Sequence, residues 1–564
     1  MKEKRMKSKF CLLVSCLCIA LSISVRLYAQ DPPSGSPNAA SVSVDRVVDK
    51  AIEQERSLAN KMKGLRPLIE TYTQNMGLHP DLGAVPKSDK YFLGKLDLTK
   101  GPHQKSLLQD SGGFMSSLGQ RIKQIYSVSY VPDGFAATIL LGPNFQKNLY
   151  DFTYVRREFL GEVRCLVFDV QPKKSTKAIA FLGRIWVEDR DFNIVRFNGT
   201  YTPSSASSLY FHFDSWRENM GPGLWLPAYV YTEESDLPYF MGTRKLRFKG
   251  QTRLWAYNTG RAKQQNELTS LTVEADNVQD KAAEDDAITP VEAYRAWERQ
   301  AEDNVLNRLE VAGLLAPDGP VNKVLETVVN NLEVTNNLDI QPPVRARVLL
   351  TTPVESFTVG HTIVLSRGLI DVLPDEASLA LALAHELGHI SLGHSLDTKY
   401  AFNDRTLFQD EETLMSLSLQ RTPEEEVAAD KSGLEYLKNS PYKDKLANAA
   451  LFLSAVQNRS SELTGLLRPH LGNQIASNGK VRRMPDLIQQ APKLEMNRTD
   501  QIAALPLGSR IQVDLWNNTI KLMKSKNVPL QSAREKMPFE VTPVFLYLTR
   551  QPQTSTSQET AQTR

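Results

Sequence analysis

Hydrophobic and polar positions follow two different spacings along the chain, and the change falls near residue 276. From residue 127 to residue 257, apolar runs rich in aromatic and β-branched residues recur at short intervals between turn residues. This pattern is typical of a large antiparallel sheet. It predicts strands at residues 150–158, 163–170, 179–187, 194–201, 209–216, 225–232 and 246–255. The segment from Asp189 to Asn193 predicts a hairpin turn between the third and fourth of these strands.

Residues 276–289 are polar and charged and predict a linker, beyond which apolar residues recur at helical spacing. Helices are predicted from Pro290, over residues 321–332 and over residues 446–456, and they flank a strand-rich insert at 344–350 and 362–365. The fold class that follows is α+β: an N-terminal antiparallel β-sheet domain and a mainly helical domain with a small sheet. The Gln-, Ser- and Thr-rich residues 546–564 predict a disordered tail.

The first 29 residues have the layout of a secretory signal peptide. Basic residues from Lys2 to Lys9 precede an apolar run from Phe10 to Val25, and cleavage is predicted after Ala29. An uncleaved membrane anchor is the alternative, but this run is shorter than the roughly 20 residues that span a bilayer. We therefore expect an exported, periplasmic protein with no transmembrane span in its mature chain.

Composition and charge limit the partners that we expect. The 564 residues are 41% hydrophobic and 23% charged, which is typical of a globular protein. The formal net charge of +3 gives no reason to expect nucleic acid or an anionic membrane surface as a partner. Cys165 is the only cysteine outside the signal segment, and its apolar surroundings favour a buried structural thiol over a nucleophile.

The segment His385-Glu386-Leu387-Gly388-His389 contains the candidate chemistry. It ends a Leu- and Ala-rich stretch that predicts a helix beginning at Pro374, and residues four apart lie on one face of a helix. Both imidazoles can therefore reach one zinc ion, while Glu386 can reach a water molecule without binding the metal. A chance match on an ordinary amphipathic helix is the alternative. The motif favours one Zn²⁺ per chain.

A catalytic zinc ion usually has three protein ligands, so a third residue is needed. His394 is the nearest candidate, but on a continuing helix it would point away from His389. A second helix is predicted from Pro423, with Glu426 and Asp430 one turn apart on one face. We predict that Glu426 binds the metal and that Asp430 accepts the outer N–H of a ligating histidine. An ordinary acidic helix N-terminus is the alternative.

These motifs together resemble the HtpX, BepA and CAAX-prenyl-protease type of gluzincin peptidase, peptidase family M48. The resemblance covers about residues 320–490 and rests on the segments 365–370, 383–389 and 426–433, together with His394. In that family, the two motif histidines and the Glu of an E-x-x-x-D segment bind zinc, and the Glu after the first histidine is the general base. The resemblance implies a zincin-type metallopeptidase domain over residues 290–545 in which His385, His389 and Glu426 bind zinc and Glu386 is catalytic.

Two further segments are candidates for roles at such a site. Family members often have a Thr-His-Pro segment followed by an Arg, whereas this chain has Arg468-Pro469-His470 and then Arg482-Arg483. His470 is therefore a candidate for a transition-state or regulatory role, although the order of residues is altered. The segment from Glu355 to Val359 is a candidate edge for pairing with an extended substrate.

The N-terminal half has its own resemblance. The order of its strands, one of which contains Trp186, resembles the sheet of LolA- and RseB-like periplasmic proteins that handle lipids and lipoproteins. A generic β-rich accessory domain is the alternative. The sheet domain is predicted over residues 127–275, after a leader and an N-terminal part of the same domain at residues 30–126.

The resemblance and the export signal together imply a zinc-dependent endopeptidase that hydrolyses envelope proteins in periplasmic quality control. Its expected partners are protein or peptide substrates, with outer-membrane proteins or lipoproteins as clients. The alternative is a periplasmic chaperone, or a lipoprotein- or lipid-binding protein, with a latent peptidase domain. Glu386 argues against a dead enzyme, because a purely structural zinc site has no use for a general base. A structural zinc module would also need a fourth Cys or His ligand.

Overall fold

The computed structural model describes residues 43–79, 83–99, 103–106, 138–176, 180–202, 211–234, 248–258, 290–394, 418–489, 491, 511–514, 519–522 and 539–551. The predicted signal peptide, the linker at residues 276–289 and residues 552–564 of the predicted tail lie outside these ranges. Within the described residues, no helix is both long enough and apolar enough to cross a bilayer.

The described part of the N-terminal half contains one α-helix, α1 (Val44–Leu65), a short 3-10 helix (Lys147–Leu149) and one antiparallel sheet of ten strands in the order β3-β2-β1-β10-β9-β8-β7-β6-β5-β4. The strands are β1 (Leu68–His79), β2 (Gly83–Asp97), β3 (His103–Ser106), β4 (Tyr150–Leu160), β5 (Val163–Pro172), β6 (Ala180–Glu188), β7 (Ile194–Thr202), β8 (Phe211–Gly221), β9 (Leu224–Glu234) and β10 (Phe248–Trp255). The seven predicted strands correspond to β4–β10, and the predicted hairpin turn joins β6 to β7.

The second half is mainly helical, as the sequence predicted. Its elements are α2 (Pro290–Val311), α3 (Pro320–Thr335), β11 (Arg345–Leu349), β12 (Ser356–Val359), β13 (Thr362–Ser366), α4 (Arg367–Val372), α5 (Glu376–Ser391), α6 (Pro423–Lys438), α7 (Leu446–Arg459), β14 (Ala476–Ser477), β15 (Lys480–Val481), α8 (Pro485–Ile488), β16 (Ile511–Asp514) and β17 (Thr519–Leu522). The small sheet has the order β11-β13-β12, in which β11 is parallel to β13 and β12 is antiparallel to it. The α+β fold class is therefore confirmed.

Buried ion pairs organise the N-terminal sheet. Arg196 of β7 donates two hydrogen bonds to Asp214 of β8, at 2.8 and 3.0 Å, and both side chains are almost completely buried. The guanidinium carbon of Arg196 lies 4.3 Å from the ring centroid of Trp186 and 4.4 Å from that of Trp216, so its charge meets aromatic faces on both sides. Cys165 is buried on β5, and burial raises the pKa of its thiol, as expected for a structural cysteine.

The C-terminal segment 539–551 packs along the N-terminal sheet. Gln74 of β1 donates a hydrogen bond to the Phe539 carbonyl oxygen, and Arg550 lies 2.8 Å from the Glu188 carboxylate at the end of β6. Residues 546–550 were predicted to belong to the disordered tail. They are packed instead, because Leu548 supplies a buried apolar side chain and Arg550 meets two carboxylates, Glu188 and Asp189.

The two halves also meet through a buried carboxylate. Glu70 of β1 accepts hydrogen bonds from the Tyr91 hydroxyl and from both the backbone N–H and the hydroxyl of Thr352, which lies just before β12. The described residues from Val48 onward belong to one compact unit. The residue boundaries of the two predicted domains remain a prediction.

The Arg196–Asp214 pair gives a stability prediction. Arg196→Ala should lower the free energy of unfolding by about 3–5 kcal/mol, because it leaves the Asp214 carboxylate buried without its partner. Chemical denaturation followed by tryptophan fluorescence measures the change. Arg184→Ala is the matched control, because Arg184 pairs with Asp169 in a partly exposed position, where about 0–1 kcal/mol is expected. Equal losses in the two variants would contradict the assignment of the buried pair as a main stabilising feature of the sheet.

Candidate active site

The motif histidines lie near the end of α5, which is buried over most of its length. The Asp375 side chain caps the helix by accepting a hydrogen bond from the Ser378 backbone N–H at 2.9 Å. The helix therefore begins at Glu376, and Pro374 precedes the cap instead of being the first helical residue as predicted. α5 ends at Ser391.

Helix α6 begins at Pro423, as predicted, and is fixed by a capping box between Thr422 and Glu425. It crosses α5 closely. A Cβ atom on Gly388 would lie 2.7 Å from the Ala429 carbonyl oxygen, and one on Gly433 would lie 2.7 Å from the Ala384 carbonyl oxygen. Glycine at both positions lets the two backbones approach, which brings the first turns of α6 to the histidines.

This crossing brings together His385, His389 and Glu426. The Nε2 atoms of the two histidines are 3.1 Å apart. The Glu426 carboxylate oxygens lie 3.6 Å from Nε2 of His385 and 3.2 Å from Nε2 of His389. Tetrahedral ligands at roughly 2.1 Å from a zinc ion would be about 3.4 Å apart, so the spacing of the two nitrogens and the Glu426 carboxylate fits one such ion.

Asp430 sets the orientation of His385. One Asp430 carboxylate oxygen lies 2.7 Å from Nδ1 of His385, and the other accepts the backbone N–H of Met484 at 2.8 Å. A carboxylate at this position favours the proton on Nδ1, which leaves the Nε2 lone pair free to face the other two donors. Asp430 thus contacts both the outer nitrogen of His385 and the backbone before α8.

His394 lies beside His389, because the chain turns where the sequence analysis considered a continuing helix. α5 ends at Ser391, before His394. Gly393 then adopts a left-handed conformation (φ 67°) and turns the chain back. Nδ1 of His394 lies 2.8 Å from Nδ1 of His389, on the side of that ring away from Glu426. His394 is therefore outside the group of three donors and touches the outer nitrogen of one of them.

Glu386 is buried beside the three donors and has two polar neighbours. The Ser356 hydroxyl, on the first residue of β12, donates a hydrogen bond of 2.7 Å to the Glu386 carboxylate. Arg483 lies 3.3 Å from the same oxygen and also donates to the Ser356 hydroxyl. The sequence suggested a substrate-edge role for the 355–359 segment and contained the Arg482-Arg483 pair, but it did not single out Arg483 or Ser356.

The charges at the site favour a bound cation. Burial alone would raise the pKa of Glu426, but hydrogen bonds with His385 and His389 and the charge of Arg483 lower that pKa well below its usual range. The pKa of His385 is raised: burial and Arg483 lower it, but the carboxylates of Asp430, Glu426 and Glu386 outweigh them. An ionised carboxylate and two convergent imidazoles form a donor set that zinc prefers.

His470 takes a different position. Its ring stacks on Tyr91 of β2 with centroids 4.9 Å apart, and its backbone N–H donates to the Glu355 carboxylate at 3.0 Å. Burial, with a smaller contribution from the charge of Arg468, lowers the pKa of the His470 imidazole to about 4. These contacts place His470 between the N-terminal sheet and the segment before β12, not against the three metal-ligand candidates.

Comparison with solved structures finds proteins that are similar to part of the chain. A LolA superfamily protein from Nitrosomonas europaea is 12% identical, with a TM-score of 0.20 over 38% of this chain and 92% of that chain. A putative outer membrane lipoprotein-sorting protein domain from Vibrio parahaemolyticus is 10% identical, with a TM-score of 0.20 over 39% of this chain and 99% of that chain. TM-scores this low support no inference about function. No curated protein matches the chain.

Residues 321–495 match the family model described as Peptidase family M48. The matched segment contains α5 and α6, and therefore His385, Glu386, His389, Glu426 and Asp430. The match confirms the resemblance that these motifs suggested, and it supports a metallopeptidase in this region of the chain.

Proposed function

We propose that the protein is a zinc-dependent endopeptidase that hydrolyses peptide bonds of envelope proteins in the periplasm. The convergence of His385, His389 and Glu426 beside the buried Glu386 is the observation that supports this most directly. One metal ion per chain would be held by these three residues. Glu386, which is not one of the three donors, is left for proton transfer.

Zinc supplies Lewis-acid chemistry at such a site, because it lowers the pKa of water and polarises a carbonyl group. In the proposed mechanism, Glu386 accepts the proton of the attacking water and then passes it to the leaving amine. Ser356 and Arg483 hold the Glu386 carboxylate in one orientation, since both contact the same oxygen. Asp430 keeps the His385 ring turned toward the metal-ligand candidates.

The alternative class is a chaperone, or a lipid- or lipoprotein-binding protein, whose sheet does the work while the peptidase is latent. The two proposals differ in one respect that can be measured: a chaperone retains its activity without Glu386, and a peptidase does not. The same variant therefore tests both.

Glu386→Gln should retain zinc and the native fold but lose about 10²–10⁴-fold in turnover of casein, because only the proton acceptor changes. Zinc content by atomic absorption, thermal melting and release of fluorescent peptides from labelled casein measure the three properties. Glu435→Gln is the matched control, because Glu435 is an exposed residue of α6 that pairs with Lys438. Turnover that is unchanged in Glu386→Gln would contradict the peptidase proposal.

The metal-ligand set makes a graded prediction. Glu426→Ala should lose zinc and activity, because it removes one of three ligands. Asp430→Ala should lose about 10–100-fold in zinc affinity or rate, because it only orients His385. His394→Ala should keep its zinc. Competition with a fluorescent chelator measures the affinities, and loss of zinc from His394→Ala together with its retention in Glu426→Ala would overturn the ligand assignment.

Export can be tested independently of the chemistry. N-terminal sequencing of the protein from the envelope fraction should begin near Gln30, because the basic, apolar and small-residue regions follow the order of a cleaved signal. Recovery of chains that retain Met1 in the membrane fraction would show that the segment is an anchor.

A further inference from the structure

Strand β12 is the edge of the small sheet beside α5, and the register shows which of its backbone groups face outward. The Ser366 N–H of β13 donates to the Glu355 carbonyl, and residues 356–359 pair antiparallel with residues 362–365. Because inward and outward groups alternate in such a pair, the backbone groups of Ser356 and Thr358 face away from β13. Under the proposed function, an extended peptide would pair with these outward groups next to Glu386.

Other parts of the same chain already cover this outer edge. Arg421 donates to the Thr358 hydroxyl at 3.1 Å and to the Thr358 carbonyl oxygen at 3.5 Å. Gly472 lies against the next outward carbonyl: a Cβ atom on Gly472 would be 2.5 Å from the Ser356 carbonyl oxygen. A peptide cannot reach either outward carbonyl of β12 while Arg421 and Gly472 stay in place.

The segment that contains Gly472, residues 465–473, is here called the covering segment. A single carboxylate holds its end: Glu355, which is fully buried, accepts the backbone N–H groups of His470, Leu471 and Gly472 at 3.0, 3.0 and 3.4 Å. Hydrogen bonds from several N–H groups to one buried carboxylate are strong, because the acceptor is charged and little water competes.

Arg421 is fastened to the covering segment as well. The Asn473 side chain accepts the Arg421 backbone N–H at 3.2 Å and donates to the Arg421 carbonyl at 3.1 Å. Two residues before Arg421, the Leu419 N–H donates to the Leu471 carbonyl at 2.9 Å. The two coverings of β12 therefore form one hydrogen-bonded assembly and are expected to move together.

The other end of the covering segment is held by the N-terminal sheet. Asp89 of β2 accepts the backbone N–H groups of Gly465 and Leu466, both at 2.7 Å, and also the Tyr72 hydroxyl at 2.9 Å. The Leu466 carbonyl in turn accepts the N–H of Val354, two residues before β12. The sheet therefore holds the segment that lies over the candidate substrate edge through hydrogen bonds to Asp89, in addition to the stacking of Tyr91 on His470.

We propose that the covering segment and Arg421 are a built-in occupant of the peptide-binding edge, held there by Asp89, and that substrate binds only when they are released. The proposal rests on the proposed function, since it concerns the regulation of the same site. If the proposal is correct, weakening the hydrogen bonds between Asp89 and the covering segment increases peptide binding. Damage to an active site would instead decrease it.

The test uses the full chain with Glu386→Gln, so that binding is measured without hydrolysis. Asp89→Asn replaces one accepting oxygen by an N–H₂ group that faces backbone donors, which should release Gly465 or Leu466. We expect binding of fluorescein-labelled casein, measured by anisotropy, to become about tenfold tighter, because the open form gains population. Asp169→Asn is the matched control, because Asp169 lies on β5 and pairs with Arg184.

Gly472→Ala provides a second variant that does not depend on Asp89. Its backbone conformation is one that alanine adopts, but the added methyl group would collide with the Ser356 carbonyl oxygen and push the covering segment off the edge. It should also tighten casein binding. If both folded variants, checked by thermal melting, bind casein no more tightly than the parent, the proposal is wrong.

Hydrolysis assays separate the two proposals. With Glu386 present, Asp89→Asn should raise kcat/KM for labelled casein about tenfold over the wild type. Activity that depends on Glu386 but does not rise in Asp89→Asn or Gly472→Ala overturns the covering-segment proposal and leaves the peptidase proposal intact. Casein binding that rises in both variants, without any hydrolysis that depends on Glu386, sinks the peptidase proposal and shows that the edge serves only for binding.

Discussion

The site depends on the close crossing of α5 and α6. The histidines come from one helix and Glu426 and Asp430 from the other, so the donors meet only if the two backbones approach. Gly388 and Gly433 permit this, because a side chain at either position would meet a carbonyl oxygen of the facing helix at 2.7 Å. The distances of 3.6 and 3.2 Å from the Glu426 carboxylate to the two histidines follow from that approach. The arrangement of the metal-ligand candidates thus depends on the packing of small residues between the two helices.

Much of the site could be predicted from the sequence because its main residues are close in sequence on regular elements. The spacing of His385 and His389, and that of Glu426 and Asp430, fixes which residues share a helix face. The expected orientation of His394 was different from the observed one, because the prediction extended the helix through Gly393, whose left-handed backbone ends it. A glycine two residues past the last helical residue was the available signal.

The contacts of Glu386 could not be predicted in the same way. Ser356 lies 30 residues from Glu386 in sequence, and Arg483 comes from beyond α7, so no local spacing relates them. The N-terminal sheet shows the same limit. Its strands β4–β10 could be predicted from composition. Helix α1 was not predicted, although its buried residues recur at helical spacing: Val48, Ala51, Ile52, Leu58 and Met62. No sequence motif indicated the contacts that Glu70 and Asp89 of the sheet make with the peptidase region.

The carboxylates that accept hydrogen bonds between the sheet and the peptidase region affect how related sequences can diverge. Glu70, Asp89 and Glu355 all receive backbone N–H groups, from Thr352, from Gly465 and Leu466, and from residues 470–472. A backbone donor is present whatever side chain the residue has, unless it is proline. Related chains could therefore replace most side chains of these loops and keep the junction, provided that the three carboxylates remain. Conservation should then be found in the acceptors, while the loops that they hold are free to vary.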